Sequence, residues 1–561
     1  MQHIFKEHKT RKVFSLNGEW QFLTDPENKG ELNKWYENFP SEHSYINVPS
    51  CWNNEFGLYS YIGKAWYKKD FDVKSDCYLQ LTFGAVSGQA NVYLDGEFLG
   101  EHYGGWLEFS LGKFVEKGTH SVVVMVDDTP NELDTFPLKK VDWRHLGGIT
   151  RSVEYAEFLE PFIKSARIEY TLSEDLKSAV ITPKIKIHNP FEKDYETTLS
   201  LYIGDQLLKQ ENVKISKSGI YEMGAVEFDN IKLWDIHQGN LYDVRVVLGQ
   251  DDICEKIGFR KIEVKGIYVY LNGKKVFLKG ANRHELHPDH GFAVPAVISK
   301  RDVDILKDMN SNFVRMSHYP QSHTFVDYLD RDGLCSWLEI PMWQFHEPSL
   351  ASEFVRERAK KLYNEMVEQY YNHPSIIIWG LHNEVETNTK AGYEFTKMAY
   401  GYVKEMDNSR LISFASDRFV HDISLEFCDI VALNNYFGWY YGEESDWEAY
   451  IKGFRSSLNE RGFGDKPVMM SEFGVPAMIG ISSFEKEKWS MQYQAEYVER
   501  VIKLCAEEEC VCGSAVWVLF DFQSANDLMK ARGFNNKGLM NEYRKPKLAY
   551  YKVKELYKNI K

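Results

Sequence analysis

From residue 266 to the end of the chain, short apolar runs alternate with charged stretches of helical period. Eight runs have strand length: Val276–Lys279, Phe313–Ser317, Ser336–Ile340, Ser375–Leu381, Leu411–Ala415, Ile430–Leu433, Val468–Met470 and Ala515–Leu519. Between them, Ala351 to Tyr370 and Gln492 to Leu504 repeat apolar residues at spacings of three and four, the period of a helix with one buried face. Eight strand–helix units over this length have the size and rhythm of a (β/α)8 barrel. A doubly wound parallel sheet gives the same alternation, so the pattern alone leaves both open.

The front of the chain reads differently. Tyr78–Phe83 and Ala90–Phe98 alternate in polarity, an Asp95-Gly96 hairpin signal lies within the second, and Ser121–Val126 is continuously apolar. Strands this short, uninterrupted by a helical period, predict a β-sandwich over residues 1–160. A second all-strand block carries Ala166–Tyr170, Ala179–Pro183, Lys184–His188 and Leu241–Val247 and closes at Gly258–Val264. It predicts an immunoglobulin-like sandwich over 161–265, with the barrel following over 266–561.

Composition narrows the partners. With 82 acidic against 67 basic residues the formal net charge is -15, which argues against nucleic acid and anionic membrane surfaces. No run of about 18 apolar residues occurs, so no spanning helix is expected. Aromatic residues are 15% of the chain, which suits strand cores and would equally suit a cleft where rings pack on sugar faces. Eight cysteines are scattered, and the cluster Cys505, Cys510, Cys512 lacks a second ligand pair. Free thiols and an N-terminus without an apolar core predict a cytoplasmic protein. No cofactor or required metal is expected; His287, His290 and Asp289 form the weak local candidate for one.

Two carboxylates stand out by position. Ser375 to Leu381 runs into Asn383-Glu384, and Val468 to Met470 into Glu472. In a barrel these are the C-terminal ends of strands four and seven, the face that carries active sites. A carboxylate directly after a buried strand is costly unless solvated, paired or used. Strand-end glutamates in ion pairs remain one reading. The other is glycosidic bond cleavage, which needs one carboxyl to protonate the leaving oxygen and an ionised one to meet the oxocarbenium-like centre. On that reading Glu384 is the acid/base, Glu472 the nucleophile, and Asn383 a hydrogen-bond partner of the 2-hydroxyl.

The chain resembles glycoside hydrolase family 2, the family of β-galactosidases, β-glucuronidases and β-mannosidases. The resemblance spans nearly the whole chain and rests on Asn282-Arg-His-Glu285, Asn312 to Pro320, Asn372 to Glu384 and Ser471-Glu-Phe-Gly474, in that order. It implies a jelly-roll-like sugar-binding sandwich, an immunoglobulin-like sandwich and a catalytic (β/α)8 barrel with retaining chemistry, and it puts the same roles on Glu384 and Glu472. Within the family the likeness is to bacterial β-glucuronidases. It implies that Tyr436 orients the nucleophile and that Tyr440 faces a sugar carboxylate. It further implies that Asn535 and Lys537 of Asn535-Asn-Lys-Gly538 bind that carboxylate, and that Asp142 reaches the site from the first sandwich. Asn434, His318, Trp517 and Arg532 complete the implied substrate contacts. The implied partner is a small-molecule glycoside, a β-glucuronide first, and a homo-oligomer is possible for such a chain.

The Asn-Lys pair has a physical logic. A hexuronide carries a carboxylate where a hexoside carries CH2OH, and burying that charge calls for a cation and a neutral donor. Asn282 to Gly291 and Asp142-Trp-Arg144 look more like β-galactosidases, so β-galacturonidase and β-galactosidase stay open, as does a carbohydrate-binding protein without catalysis. Arg144 is placed to reshape the O4 or O6 end of the pocket. Trp343 and Phe345 are candidate walls for the aglycone, Glu339 and Arg315 a candidate pair in the floor, and His284 a pocket residue or a structural one.

Overall fold

The computed structural model of the chain describes residues 7–525 and 530–560. Residues 1–6, where the first predicted domain begins, lie outside the described residues.

Two antiparallel sheets form the first sandwich. One has six strands, with Gly118–Asp127 and Lys64–Val73 at its centre; the other has four, with Val153–Phe158 and Cys77–Phe83 central. Cys77–Phe83 alternates buried and half-buried along its length, the signature of one face on a core. That core holds Trp20, Phe22, Trp52, Tyr67, Leu79, Leu81 and Val124. The Asp95-Gly96 hairpin forms as expected, joining Gln89–Leu94 to Glu97–Tyr103 with φ of 56° and 81°, the left-handed pair that a two-residue hairpin turn requires.

The second sandwich packs the sheet of Phe162–Leu172 and Ser178–His188 on that of Tyr195–Ile203 and Tyr242–Leu248. One correction falls here. Ala179–Pro183 and Lys184–His188 are a single strand, not two. Pro183 offers no N–H, yet it sits where none is needed: Gly219–Glu222 pairs from Lys184 onward and Val226–Asp229 only up to Ile181, so the proline falls in the gap between two partner strands.

A three-stranded sheet, Ile262–Lys265, Tyr268–Leu271 and Lys274–Val276, follows and was not foreseen. Its Ile262, Val269 and Leu271 pack on Leu278, Phe313, Trp337 and Ile378 and plug the N-terminal end of the barrel.

The barrel is closed, with eight parallel strands in chain order: Leu278–Arg283, Phe313–Met316, Cys335–Glu339, Ile376–Asn383, Leu411–Ser416, Val431–Asn434, Val468–Phe473 and Val511–Val516. Six overlap the expected runs closely. The first begins two residues later than expected and extends to Arg283, because Lys274–Val276 is used by the plug. The eighth ends at Val516; Trp517 to Leu519 are buried not as a strand but as the connection under the barrel mouth, where the Trp517 N–H donates to Phe473 O and that of Leu519 to Asn282 O. The helices Glu353–Tyr370 and Met491–Glu507 coat the outside, capped by Ser352 and Ser490. None of the described helices is long and apolar enough to cross a membrane.

The first sandwich is locked to the barrel by a buried ion pair. Arg151 Nη2 lies 2.9 Å from Glu285 Oε2, and its Nη1 donates to Trp106 O at 2.6 Å. This contact delivers the loop before Arg151, with Asp142 in it, to the barrel mouth.

Candidate active site

Glu384 is the first residue past the fourth barrel strand, with φ of 53°. Left-handed backbone is unfavourable for a non-glycine residue, and here it turns the carboxyl into the barrel mouth. Asn434 Nδ2 donates to Glu384 Oε1 at 2.7 Å and Gln344 Nε2 to Oε2 at 2.9 Å.

Glu472 lies inside the seventh strand and is 3% exposed. Arg315 Nη1 donates to its Oε1 at 2.6 Å and the Tyr436 hydroxyl to its Oε2 at 2.7 Å. Burial pushes this carboxyl up and the Glu384 charge adds to that, while Arg315 and Tyr436 pull it back. A permanently charged guanidinium and a phenol, both donating at short range, stabilise the carboxylate form.

Arg315 is the hub. Fully buried, it also grips Glu339 at 2.8 and 3.0 Å and donates to Asn383 Oδ1 at 2.8 Å and Asn282 Oδ1 at 3.1 Å. The expected Arg315–Glu339 floor pair is therefore present. His318 Nδ1 stands 2.8 Å from Glu339 Oε1, and burial together with Arg315 holds the imidazole well below its usual range, so the ring is neutral. The His318 ring lies between Trp517, stacked at 5.1 Å, and Trp143, at 5.6 Å. Asn383 has one acceptor filled twice, by Arg315 and Asn434, whereas its buried Nδ2 donates to nothing among the described residues.

A second constellation faces this one. After the eighth strand, Phe522–Gln523 pairs with Phe534–Asn535 as a short hairpin. Asn535 Nδ2 donates to Asp142 Oδ2 at 2.8 Å, joining barrel to sandwich loop, and Asp142 also pairs with Lys530. Lys537 is 4% exposed. Its Nζ donates to the Tyr440 hydroxyl at 2.7 Å and stands over the rings of Tyr440, Tyr436 and Trp439 at 4.6, 5.5 and 5.9 Å. It makes no ion pair with an acidic side chain among the described residues. Burial pushes the ammonium down to about 7, with the Glu472 charge opposing.

The structure thus brings Glu384, Glu472, Asn383, Asn434, Tyr436, His318 and Trp517 together, and sets Asp142, Asn535, Lys537 and Tyr440 beside them. Others fall elsewhere. Arg532 is engaged within its own segment: its guanidinium pairs with Glu542 at 2.9 Å and donates to Asn536 Oδ1 at 2.9 Å, and it braces the hairpin. Phe345 is no wall residue but core, against Phe136 at 4.8 Å. Arg144 stacks on Tyr59 at 3.4 Å and donates to Gln523 Oε1 at 3.5 Å. His284 is buried against Tyr319. His287 lies 3.9 Å from Asp289, which accepts from Tyr543. Sequence reasoning missed Gln344 and Lys530. Gln344 sat between the two aromatic residues singled out after strand three, where alternation alone separates it from Phe345.

Comparison with known proteins agrees along the whole chain. The model for the sugar binding domain of glycosyl hydrolases family 2 matches residues 13–158, the family 2 model residues 162–260, and that for the family's TIM barrel domain residues 262–561. A β-glucuronidase of Paenibacillus borealis is 25% identical over 97% of this chain and 96% of its own length. A β-galactosidase of Thermoanaerobacterium thermosulfurigenes is 28% identical over 97% of this chain and 76% of its own. The crystal structure of a β-galacturonidase from Eisenbergiella tayi bound to galacturonate superposes with a TM-score of 0.93 at 29% identity, covering 100% of both chains. The chain is a glycoside hydrolase and belongs to glycoside hydrolase family 2.

Proposed function

We propose that this chain is a retaining β-hexuronidase, with β-D-glucuronides as its preferred substrates. The observation that carries the reading is Lys537: a buried ammonium with an aromatic cage and no carboxylate partner among the described residues. Isolated buried charge is costly, and a sugar C6 carboxylate removes that cost by pairing with it. Asn535, whose side-chain amide also donates to Asp142 Oδ2 at 2.8 Å, supplies the neutral donor.

Chemistry follows from the two glutamates. The Glu472 carboxylate attacks the anomeric carbon as the Glu384 carboxyl gives its proton to the leaving oxygen, and the aglycone departs. Glu384, now ionised, takes a proton from water; the water oxygen attacks the anomeric carbon and Glu472 leaves, giving the β-configured sugar. Arg315 and Tyr436 keep the nucleophile aimed and ionised. The free Asn383 Nδ2 is the donor for the 2-hydroxyl, a contact that strengthens as positive charge develops at the ring.

A second reading, β-galacturonidase, is favoured by the full-length likeness to the Eisenbergiella tayi enzyme. The two differ at C4, the position we assign to Asp142. Initial rates on 4-nitrophenyl β-glucuronide, β-galacturonide, β-galactoside and β-mannoside decide. A β-glucuronide preferred over all others supports the proposal, the galacturonide moves it to the second reading, and a preferred β-galactoside rejects both.

A further inference from the structure

Both oxygens of the Glu384 carboxyl are taken, by partners that differ in freedom. Asn434, 2% exposed, is clamped: besides its 2.7 Å bond to Oε1, its Nδ2 reaches Asn383 Oδ1 at 3.1 Å and its Oδ1 accepts from the Ser471 hydroxyl at 2.8 Å. Gln344 is half-buried, and its 2.9 Å bond to Oε2 is the only side-chain hydrogen bond it makes among the described residues. The Gln344 amide is thus aimed at one atom.

The backbone holds it there against its own preference. Gln344 has φ of 52°, and left-handed backbone is unfavourable for a glutamine. Its N–H donates to Asn383 O at 2.8 Å and the Asn383 N–H to Met342 O at 2.9 Å, which ties the loop after the third barrel strand to the end of the fourth. Trp343 and Phe345, on either side, pack on Trp143 at 5.9 Å and on Phe136 at 4.8 Å, both from the first sandwich. Strain kept in place by so many contacts, at a residue whose amide meets the Glu384 carboxyl, points to a role in the chemistry.

A carboxyl that gives up its proton becomes an acceptor at both oxygens. Oε1 faces the clamped amide of Asn434, so the proton belongs on Oε2, the oxygen beside the half-buried glutamine. We propose that Gln344 is a positioning residue for the acid step: it holds Oε2 of Glu384 toward the leaving oxygen and stabilises the carboxylate left as the proton is given away. The inference rests on the reading of Glu384 as acid/base. The Glu384 O–H bond breaks and a new O–H bond forms on the glycosidic oxygen. The electrons of the broken bond to the anomeric carbon go to that oxygen, while Gln344 keeps its own hydrogens. Its N–H bond to Oε2 strengthens as charge grows there, so it acts in the transition state. A leaving group that departs without a proton draws nothing from it.

The test is the dependence of kcat/KM on the leaving group, measured with methyl, 4-nitrophenyl and 2,4-dinitrophenyl β-glycosides of the wild type's preferred sugar. kcat/KM covers the steps through departure of the aglycone, and dinitrophenolate leaves without a proton. Gln344→Met keeps the length of the side chain and deletes the N–H. It should lower kcat/KM about tenfold or more on the methyl glycoside and less than about twofold on the dinitrophenyl glycoside. Gln344→Gly, which suits the left-handed backbone, should give the same pattern and decides if the methionine variant does not fold. Glu384→Gln is the control and should show the same dependence more steeply. Equal losses on all three glycosides in the Gln344 variants, with the control steep, mean a merely structural role and overturn the inference alone. So does the absence of any loss. A control that loses equally on all three overturns the acid/base assignment of Glu384, and the inference with it.

Discussion

Burial and charge conflict at Lys537. With its ammonium held down to about 7, it is part neutral in the empty pocket near neutral pH. A bound uronate stabilises the charged form, so binding takes up a proton, and affinity for the acidic sugar is lost as pH climbs above the empty-site value. The ratio of kcat/KM for a β-glucuronide to that for a β-galactoside should therefore fall between about pH 7 and pH 9. Groups shared by both reactions cancel in that ratio, and a flat ratio would remove Lys537 from the carboxylate. At the glutamates, Glu384→Gln and Glu472→Gln should each abolish most turnover, through loss of the proton donor and of the nucleophile. Azide should partly rescue Glu384→Ala on an activated aryl substrate, because azide attacks the glycosyl-enzyme without a base. The product should be the β-glycosyl azide; an α-azide, or wild-type rates in either glutamine variant, would reverse the assignment.

At the scale of elements, the hairpin after strand eight decides what Arg532 does. Paired to Glu542 and Asn536, it braces the segment that carries Asn535 and Lys537. Arg532→Ala should therefore lower kcat/KM several-fold and by similar factors on charged and neutral sugars. A loss confined to the uronide would mean direct contact with the carboxylate. The family resemblance implied a substrate contact for it; which way a guanidinium turns depends on Glu542, and a linear reading does not carry that pairing. The barrel strands were legible because strand burial makes apolar runs, and both glutamates because a carboxylate after such a run is conspicuous. The limits were equally physical. An apolar run records burial and not pairing, which is why Trp517 to Leu519 read as strand and the plug of the barrel floor went unseen. Pro183 read as a break because its missing N–H matters only where a partner strand stands opposite. Gln344 gave no signal at all, since its role depends on where Glu384 ends up.

For the molecule as a whole, the site is assembled from parts far apart in the chain. The sandwich contributes Asp142, the hairpin Asn535 and Lys537, and the barrel the glutamates. Arg151–Glu285 is the buried joint between the first sandwich and the barrel. Removing one partner of a buried pair costs roughly 3–5 kcal/mol. Arg151→Met should thus lower the melting temperature clearly and raise KM more than it lowers kcat, because the loop bearing Asp142 loses its anchor. Unchanged melting would show that the joint carries no load. The convergence of these parts on one sugar carboxylate is tested most directly by kcat/KM for β-glucuronide, β-galacturonide and β-galactoside on wild type and Lys537→Ala. A loss of about a hundredfold or more on the preferred uronide, ~2.7 kcal/mol of transition-state stabilisation, with far less change on the galactoside, is the expected result. An equal loss on charged and neutral sugars, or a wild type that favours the galactoside, would contradict it.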